Sequence, residues 1–243
     1  MFNRTNSTDY ASGNLSANAS GNLSDLVLGV VLAGGLSSRM GQDKTLLARG
    51  DSRNSLSMLD FSKQLLRDSG LNDIIISGDN HQVPDLVKGA GPVGGIYSIV
   101  QYCISQKKLP KAFLILPVDL PLMTASTLQQ LRLKGELSQQ ATFFQEASGK
   151  AHNIPLYLPY NAYLELYLAQ AFKGFVVKKG EKNGPSIRSL LKQMPNQSVT
   201  LPHTLIKNLT TNLTTNLTTK VNTDSVLFNS NTPKDWQRAK QSF

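Results

Sequence analysis

Leu26 to Ala33 is a nearly unbroken apolar run rich in Val and Leu, and it empties directly into Gly34-Gly35, followed by Ser37, Ser38, Arg39, Gly41 and Lys44. Such a run, without polar alternation, reads as a strand buried on both faces, the condition of a strand inside a parallel sheet covered by helices. Paired glycines let the backbone turn sharply and approach a ligand closely, so that successive amide N–H groups can converge on one anion. Arg39 adds a planar fork of donors and Lys44 a mobile point charge. Strand, glycine turn and two cations together read as a phosphate cradle. The common phosphate motifs do not account for it. A P-loop ends in Gly-Lys-Ser/Thr, whereas Gln42 and Asp43 separate Gly41 from Lys44, and G-x-G-x-x-G fails because Gly34 and Gly35 are adjacent.

Helices and strands alternate beyond this point. Met58, Phe61, Leu65 and Leu66 share one helical face closed by Gly70, and Asp73 to Ser77 forms a short Ile-rich strand. Pro92, within Gly91-Pro92-Val93-Gly94-Gly95, suits the first turn of a helix reaching about Lys107. Ala112 to Leu116 gives a third buried strand, and another helix covers Ala125 to Leu133. This order requires right-handed crossovers and predicts an α/β fold, Rossmann-like and doubly wound around a mostly parallel sheet. Ligands of such sheets bind beyond the carboxyl ends of the strands. Each predicted strand ends on a feature of interest: Gly34-Gly35, Ser77, and Pro117-Val118-Asp119. Asp119, bracketed by Pro117 and Pro121, is a candidate to hold Mg²⁺, a hard ion that takes oxygen ligands and is shared with substrate phosphates. Thr124 is the better N-cap for the helix after Met123, which leaves Asp119 free of that role.

The 243 residues suit a single domain with a sizeable core. Residues 1–25 are expected to form a polar tail and residues 26–243 the domain, interrupted at about 204–221 by an insert in which Asn-Leu-Thr-Thr repeats. Neither low-complexity stretch can bury enough apolar surface to offset chain entropy. Their N-x-S/T triplets are expected to stay idle, because Met1-Phe2-Asn3-Arg4 leads into polar residues without a signal-peptide core. Arg49-Gly50-Asp51 reads as a turn. No apolar run approaches transmembrane length, and a cytoplasmic monomer without a membrane partner is expected. Cys103, the only cysteine, excludes a disulfide framework and sits in an apolar helical pattern, as a core residue would. A net charge of +9 implies an anionic partner, either nucleic acid or small polyphosphorylated substrates. Lys173, Lys178, Lys179, Lys182, Arg188 and Lys192 cluster in the C-terminal third, but no RNA-reading aromatic motif or recognition-helix pattern accompanies them, which favours the small substrates.

Leu32, Ala33, Gly34, Gly35, Ser37, Arg39, Met40, Gly41, Asp43 and Lys44 stand at matching places in the nucleotidyltransferase signature L-A-[GA]-G-x-S-x-R-M-G-x-D-K. With its double glycine and Asp-Lys pair the chain most resembles the molybdenum cofactor guanylyltransferases of the molybdopterin nucleotidyltransferase family, whose cytidylyltransferase relatives usually carry Ala-Ala-Gly. Leu116 to Pro121 resembles the family's P-x-D-x-P segment, whose aspartate binds magnesium, and Gly91 to Ile96 is similar to G-P-L-A-G-[ILM]. His152-Asn153-Ile154-Pro155-Leu156 is an altered form of the H-P-x-x-[AG]-L strand, and Ser186 to Leu191 resembles the R-x-L-L helix on the pterin side. Phe228 to Pro233 matches the N-x-N-T-P element before the final helix, which Asn231 or Thr232 would also cap with Pro233 in the first turn. Ser77 stands where the family often has Asn, and Asp85 matches an aspartate that contacts guanosine. The tail and the insert have no counterpart.

The resemblance implies transfer of GMP from GTP to the terminal phosphate of Mo-molybdopterin, giving molybdopterin guanine dinucleotide and pyrophosphate. Attack in line on the α-phosphorus needs no covalent enzyme intermediate, so catalysis is positioning and charge neutralisation. On that reading Arg39, Lys44 and Asp119 are catalytic, and Leu32, Ala33, Gly34, Gly35, Lys44, Ser77, Asp85 and Asp119 bind the nucleotide. Arg188, Asn229 and Asn231 lie on the pterin side, and Asp119 holds Mg²⁺ as the cofactor. GTP and Mo-molybdopterin are the partners, with molybdoenzymes or their chaperones receiving the product. The alternatives are a molybdenum cofactor cytidylyltransferase, another sugar- or alcohol-phosphate nucleotidyltransferase, or a non-catalytic nucleotide-binding module, the last disfavoured by an intact Arg39, Lys44 and Asp119.

Overall fold

The computed structural model of the chain describes residues 26–34, 43–49, 55–174, 184–201 and 226–242. The apolar run forms β1 (Val27–Leu32), buried at every position. A short 3₁₀ turn (Lys44–Leu46) and a small antiparallel hairpin of β2 (Ala48–Arg49) and β3 (Leu56–Ser57) lead into α1 (Met58–Asp68) and β4 (Ile74–Ser77). Then come α2 (Gly91–Ser105), β5 (Ala112–Pro117), α3 (Ala125–Ser138), β6 (Ala141–Gln145) and β7 (Ala151–Pro159). The remaining elements are α4 (Ala162–Phe172), α5 (Ile187–Leu191), β8 (Asn196–Thr200) and α6 (Pro233–Lys240). Strand order in the main sheet is β4-β1-β5-β7-β6-β8, and only β7 runs against the others. The expected mostly parallel sheet is therefore present.

Local chemistry explains the helix bounds. Ser57 caps α1 by accepting from Asp60 N–H, and Gly70 follows its last turn at φ +89°. Thr124 caps α3 as the sequence predicts, but α3 continues beyond Leu133 and passes through Gly135. There the glycine makes room: a Cβ at Gly135 would lie 2.1 Å from the Tyr157 ring, so its absence lets the sheet pack directly on the helix. The helix stops instead at Gln139, in the left-handed region at φ +56°.

Alternate side chains divide the core between two faces. Val27, Val31, Leu114 and Leu116 pack with Met58, Phe61 and Leu66 of α1, Leu128 and Leu131 of α3, and Trp236 of α6. Leu28, Val30, Phe113 and Ile115 face Val93, Ile96 and Ile99 of α2, Leu164 of α4 and Leu190 of α5. The successive crossovers α1 and α2 thus cover opposite faces, and the strand order reverses around β1. Cys103 belongs to the second cluster, where burial pushes its thiol up to about 11. Among the described residues no helix is long and apolar enough to cross a membrane.

Candidate active site

The carboxyl ends of β1, β4 and β5 are laced together by their own backbones. Ala33 N–H donates to Ser77 O at 2.8 Å and Val118 N–H to Leu32 O at 3.2 Å. One residue further, Asp119 O accepts from Ser230 N–H at 3.0 Å and from the Ser230 hydroxyl at 3.3 Å. That junction docks the segment before α6 onto the end of β5 and sets Asn231 beside Asp119. Lys44 arrives from a third direction, on the 3₁₀ turn that Asp43 caps by accepting from Thr45 N–H at 2.9 Å and Thr45 Oγ1 at 2.7 Å. Lys44 Nζ donates to Asp119 Oδ2 at 3.1 Å and to Asn231 Oδ1 at 2.8 Å. Both side chains of the ion pair are only 16% exposed, so the pair is largely withdrawn from water and neither charge is easily left alone.

Asp119 Oδ1 is buried and has no hydrogen-bond partner among the described residues. The orphaned oxygen is a donor of the kind a hard divalent cation takes, while its twin and the Asn231 amide oxygen, oxygen donors too, here accept from Lys44 Nζ. Among the described residues no three His, Cys, Asp or Glu side chains converge, so an ion held here would complete its shell with substrate oxygens and water.

A second constellation lies across β1. The chain after β4 folds back on itself through Gly78 N–H to Val83 O at 3.0 Å and Val83 N–H to Ile76 O at 3.0 Å. This return carries Asp85 to the end of β1, where a Cβ at Gly34 would come 3.0 Å from Asp85 Oδ2. Gly34 thus leaves the strand end open to a carboxylate, and it is itself exposed. The Ser77 hydroxyl, buried, is 3.4 Å from Asp85 Oδ1. Burial raises the Asp85 carboxyl above its ordinary range, the charge of Asp79 adds to that, and the Ser77 hydrogen bond opposes it. A carboxylate held against its solvation preference at the end of a parallel sheet is a mark of a functional site.

The sequence-predicted residues therefore fall into separate groups. Lys44, Asp119 and Asn231 meet directly; Leu32, Ala33, Gly34, Ser77 and Asp85 gather at the ends of β1 and β4. Leu32 turns its side chain into the core toward Gly95, leaving its backbone at the site. Asn229 is exposed on the segment that carries Ser230 and Asn231. Arg188 stands exposed on α5, and no hydrogen bond or ion pair joins it to the other candidates among the described residues. Lys173 and Lys192 are exposed as well. Gly35 and Arg39 lie outside the described residues, as do Lys178, Lys179 and Lys182 and both low-complexity segments. His152 pairs with Glu146 instead, Nε2 to Oε1 at 2.6 Å, which holds the Glu146 carboxyl down at about 2.

Sequence reasoning missed two residues. Ser230 was hidden between the two asparagines, although a hydroxyl there is the natural anchor for a strand-end carbonyl. Arg49, expected in a simple turn, ends β2, donates from Nε to Pro121 O at 2.8 Å and lies 4.1 Å above the Phe61 ring.

Known proteins share this arrangement of elements. Residues 29–196, well over half of the chain, match the MobA-like NTP transferase domain. A molybdenum cofactor guanylyltransferase of Xanthomonas euvesicatoria pv. vesicatoria (strain 85-10) is 28% identical over 213 residues, covering 86% of this chain and 92% of the relative. The crystal structure of molybdopterin-guanine dinucleotide biosynthesis protein A from Archaeoglobus fulgidus superposes with a TM-score of 0.59 at 17% identity, over 89% of this chain and 98% of that one. Rv0371c of Mycobacterium tuberculosis H37Rv, solved in complex with manganese, gives a TM-score of 0.51 at 15% identity, over 90% and 100%. At these identities the structural likeness establishes the fold.

Proposed function

The chain belongs to the MobA-like NTP transferase family, and on that premise we propose that it transfers GMP from GTP to the terminal phosphate of Mo-molybdopterin, releasing pyrophosphate. The name of the Xanthomonas relative supports the guanine nucleotide and the pterin acceptor. The observation that carries the reading is the Lys44 ammonium lodged between Asp119 and Asn231 at the carboxyl end of β5, with the second Asp119 oxygen unsatisfied.

Lys44, Asp119, Asn231, Gly34, Asp85 and Ser77 take their roles from this geometry, and Gly35, Arg39, Arg188 and Asn229 take theirs from the sequence. Lys44 supplies a point charge to the triphosphate, and Arg39 a second, planar one. Gly34 and Gly35 admit the phosphates to the backbone at the strand end, where side chains would exclude them. Asp119 Oδ1, with Asn231, would hold a divalent cation, which we assign as Mg²⁺; when bound, it neutralises phosphate charge. The manganese in the Mycobacterium structure supports a divalent ion in this fold. Asp85 is assigned to the guanosine, because a carboxylate can accept the adjacent N1–H and N2–H₂ donors of guanine or the ribose hydroxyls. Ser77 acts through Asp85 by holding its other oxygen. Arg188, Asn229 and Asn231 are assigned to the pterin side. The enzyme's contribution is then orientation and preset charge.

The test is a panel in which the full-length protein meets each common NTP with Mg²⁺ and Mo-molybdopterin, with pyrophosphate as the readout. Release that requires GTP bears the proposal out. Release that requires CTP makes the protein a cytidylyltransferase, and nucleotide binding without release makes it a binding module.

A further inference from the structure

We infer that Arg49 is a positioning residue for this site, the link that fixes the Asp119 segment against the strip carrying Lys44. The inference rests on Asp119 being the metal-holding carboxylate of the reaction proposed above.

The segment leaving β5 is pinned in three places. Leu32 O takes Val118 N–H at 3.2 Å, and Ser230 holds Asp119 O; both act at or before Asp119. Beyond it the chain meets Pro121, which is buried along with Leu120 and Met123, has no N–H to donate and can take a hydrogen bond only through its carbonyl. That carbonyl accepts from Arg49 Nε at 2.8 Å. The guanidinium has little freedom of its own, because the buried Phe61 ring of α1 lies 4.1 Å beneath it. A stacked, planar donor fixes direction as well as distance, which an ammonium on a flexible stem does not.

The same residue closes the frame from the other side. Arg49 and Ala48 pair with Leu56 and Ser57, and Leu47 O accepts Met58 N–H at 2.8 Å, so the strip from Lys44 to Arg49 is fixed to the start of α1. Arg49 therefore ties together the two segments on which Lys44 and Asp119 stand, beside the direct contact of those two side chains. Without that link the carboxylate loop keeps its backbone hydrogen bonds upstream and its buried Leu120 and Met123, and loses the hydrogen bond that directs Pro121. The alternative is that Arg49 only covers Phe61, a packing role that would appear in stability and nowhere else.

The experiment uses the full-length chain and three variants, Arg49→Gln, Arg49→Lys and, as a stability control at the α3–β7 contact, Gly135→Ala, with Mn²⁺ binding followed by paramagnetic resonance without nucleotide, steady-state pyrophosphate release, and thermal melting. Arg49→Gln is expected to weaken Mn²⁺ binding about tenfold and to lower kcat by a similar factor, the range typical of lost supporting contacts around a metal ligand. KM for GTP should move by less than about twofold, since the triphosphate cations are untouched. Arg49→Lys restores part of the Mn²⁺ affinity. Gly135→Ala lowers the melting temperature yet keeps Mn²⁺ affinity and kcat within about twofold of the parent. The inference is overturned if Arg49→Gln retains parental Mn²⁺ affinity and kcat, or if Arg49→Gln and Gly135→Ala lose both in proportion to their lost stability. A parent chain inactive with GTP whose Mn²⁺ affinity still falls in Arg49→Gln would sink the proposed reaction and leave the positioning role standing.

Discussion

Lys44 Nζ sits 3.1 Å from Asp119 Oδ2 and 2.8 Å from Asn231 Oδ1, so one ammonium joins segments 75 and 187 residues away along the chain. Asp119→Asn keeps the shape and removes the charge. Pyrophosphate release should fall about 100-fold or more, the scale of losing one preorganised electrostatic element, and Mn²⁺ binding should weaken with it. Turnover at the parental rate would remove Asp119 from the metal role.

Lys44→Ala tests the other half of the pair. A charge-assisted contact to phosphate is worth about 1.5–3 kcal/mol, so GTP binding should weaken roughly tenfold or more by titration calorimetry. Unchanged GTP affinity would mean that Lys44 serves Asp119 alone.

Asp85 makes a prediction about pH. Its carboxyl pKa is raised in the folded protein, chiefly by burial, against an ordinary value of 3.8. A raised folded value means that this group's contribution to stability is fully present below the ordinary pKa and is lost as pH rises through the folded one. Asp85→Asn removes the titration, so the variant should melt higher than the parent at about pH 7 and show no such gain at about pH 3. The same variant should lose preference for GTP over the other NTPs. A melting difference that is equal at both pH values would contradict the burial of this charge.

Thr232 caps α6 by accepting from Asp235 N–H at 3.2 Å, while Asp235 Oδ2 accepts from Thr232 N–H at 2.9 Å. The Thr232 hydrogen bonds also hold the Asp235 carboxyl below its ordinary range. Thr232→Ala should cost about 1 kcal/mol, a fall in Tm of about 2–4 °C for a domain of this size. Because Asn231 directly precedes the cap, kcat should fall in the same variant while a surface cap elsewhere, Ser57→Ala of α1, leaves it unchanged.

Gly135→Ala would put a methyl group 2.1 Å from the Tyr157 ring. Overpacking of this kind costs about 1–3 kcal/mol, which should appear as a lower urea midpoint with GTP affinity retained. A neutral effect would show that α3 can slide on the sheet.

What could be read in advance was local. The fully buried β1 needed only its Val- and Leu-rich run, and α1 only the spacing of Met58, Phe61, Leu65 and Leu66. Thr124 was legible as a cap because hydroxyls bond nearby N–H groups within the same few residues. Gly135 was not legible as interior helix, since its reason for being glycine is Tyr157 on a strand formed later in the chain. Arg49 and Ser230 escaped for the same cause: each matters through a carbonyl, of Pro121 and Asp119, that any residue type would supply. Lys44 and Asp119 stood out in the sequence as candidates for phosphate and metal, but nothing in the order of residues says that they touch. Asp85 gained its environment from a fold-back of the chain that sequence spacing does not encode.

The docking of Ser230 on Asp119 has a consequence for biosynthesis. Every strand of the main sheet lies at or before Thr200, whereas Asn231 and the Trp236 that packs on the sheet are translated after it. A nascent chain thus holds every strand of that sheet before it holds Asn231, and one cut between Thr200 and Val226 would lack both the Asn231 contact to Lys44 and the Trp236 side of the core.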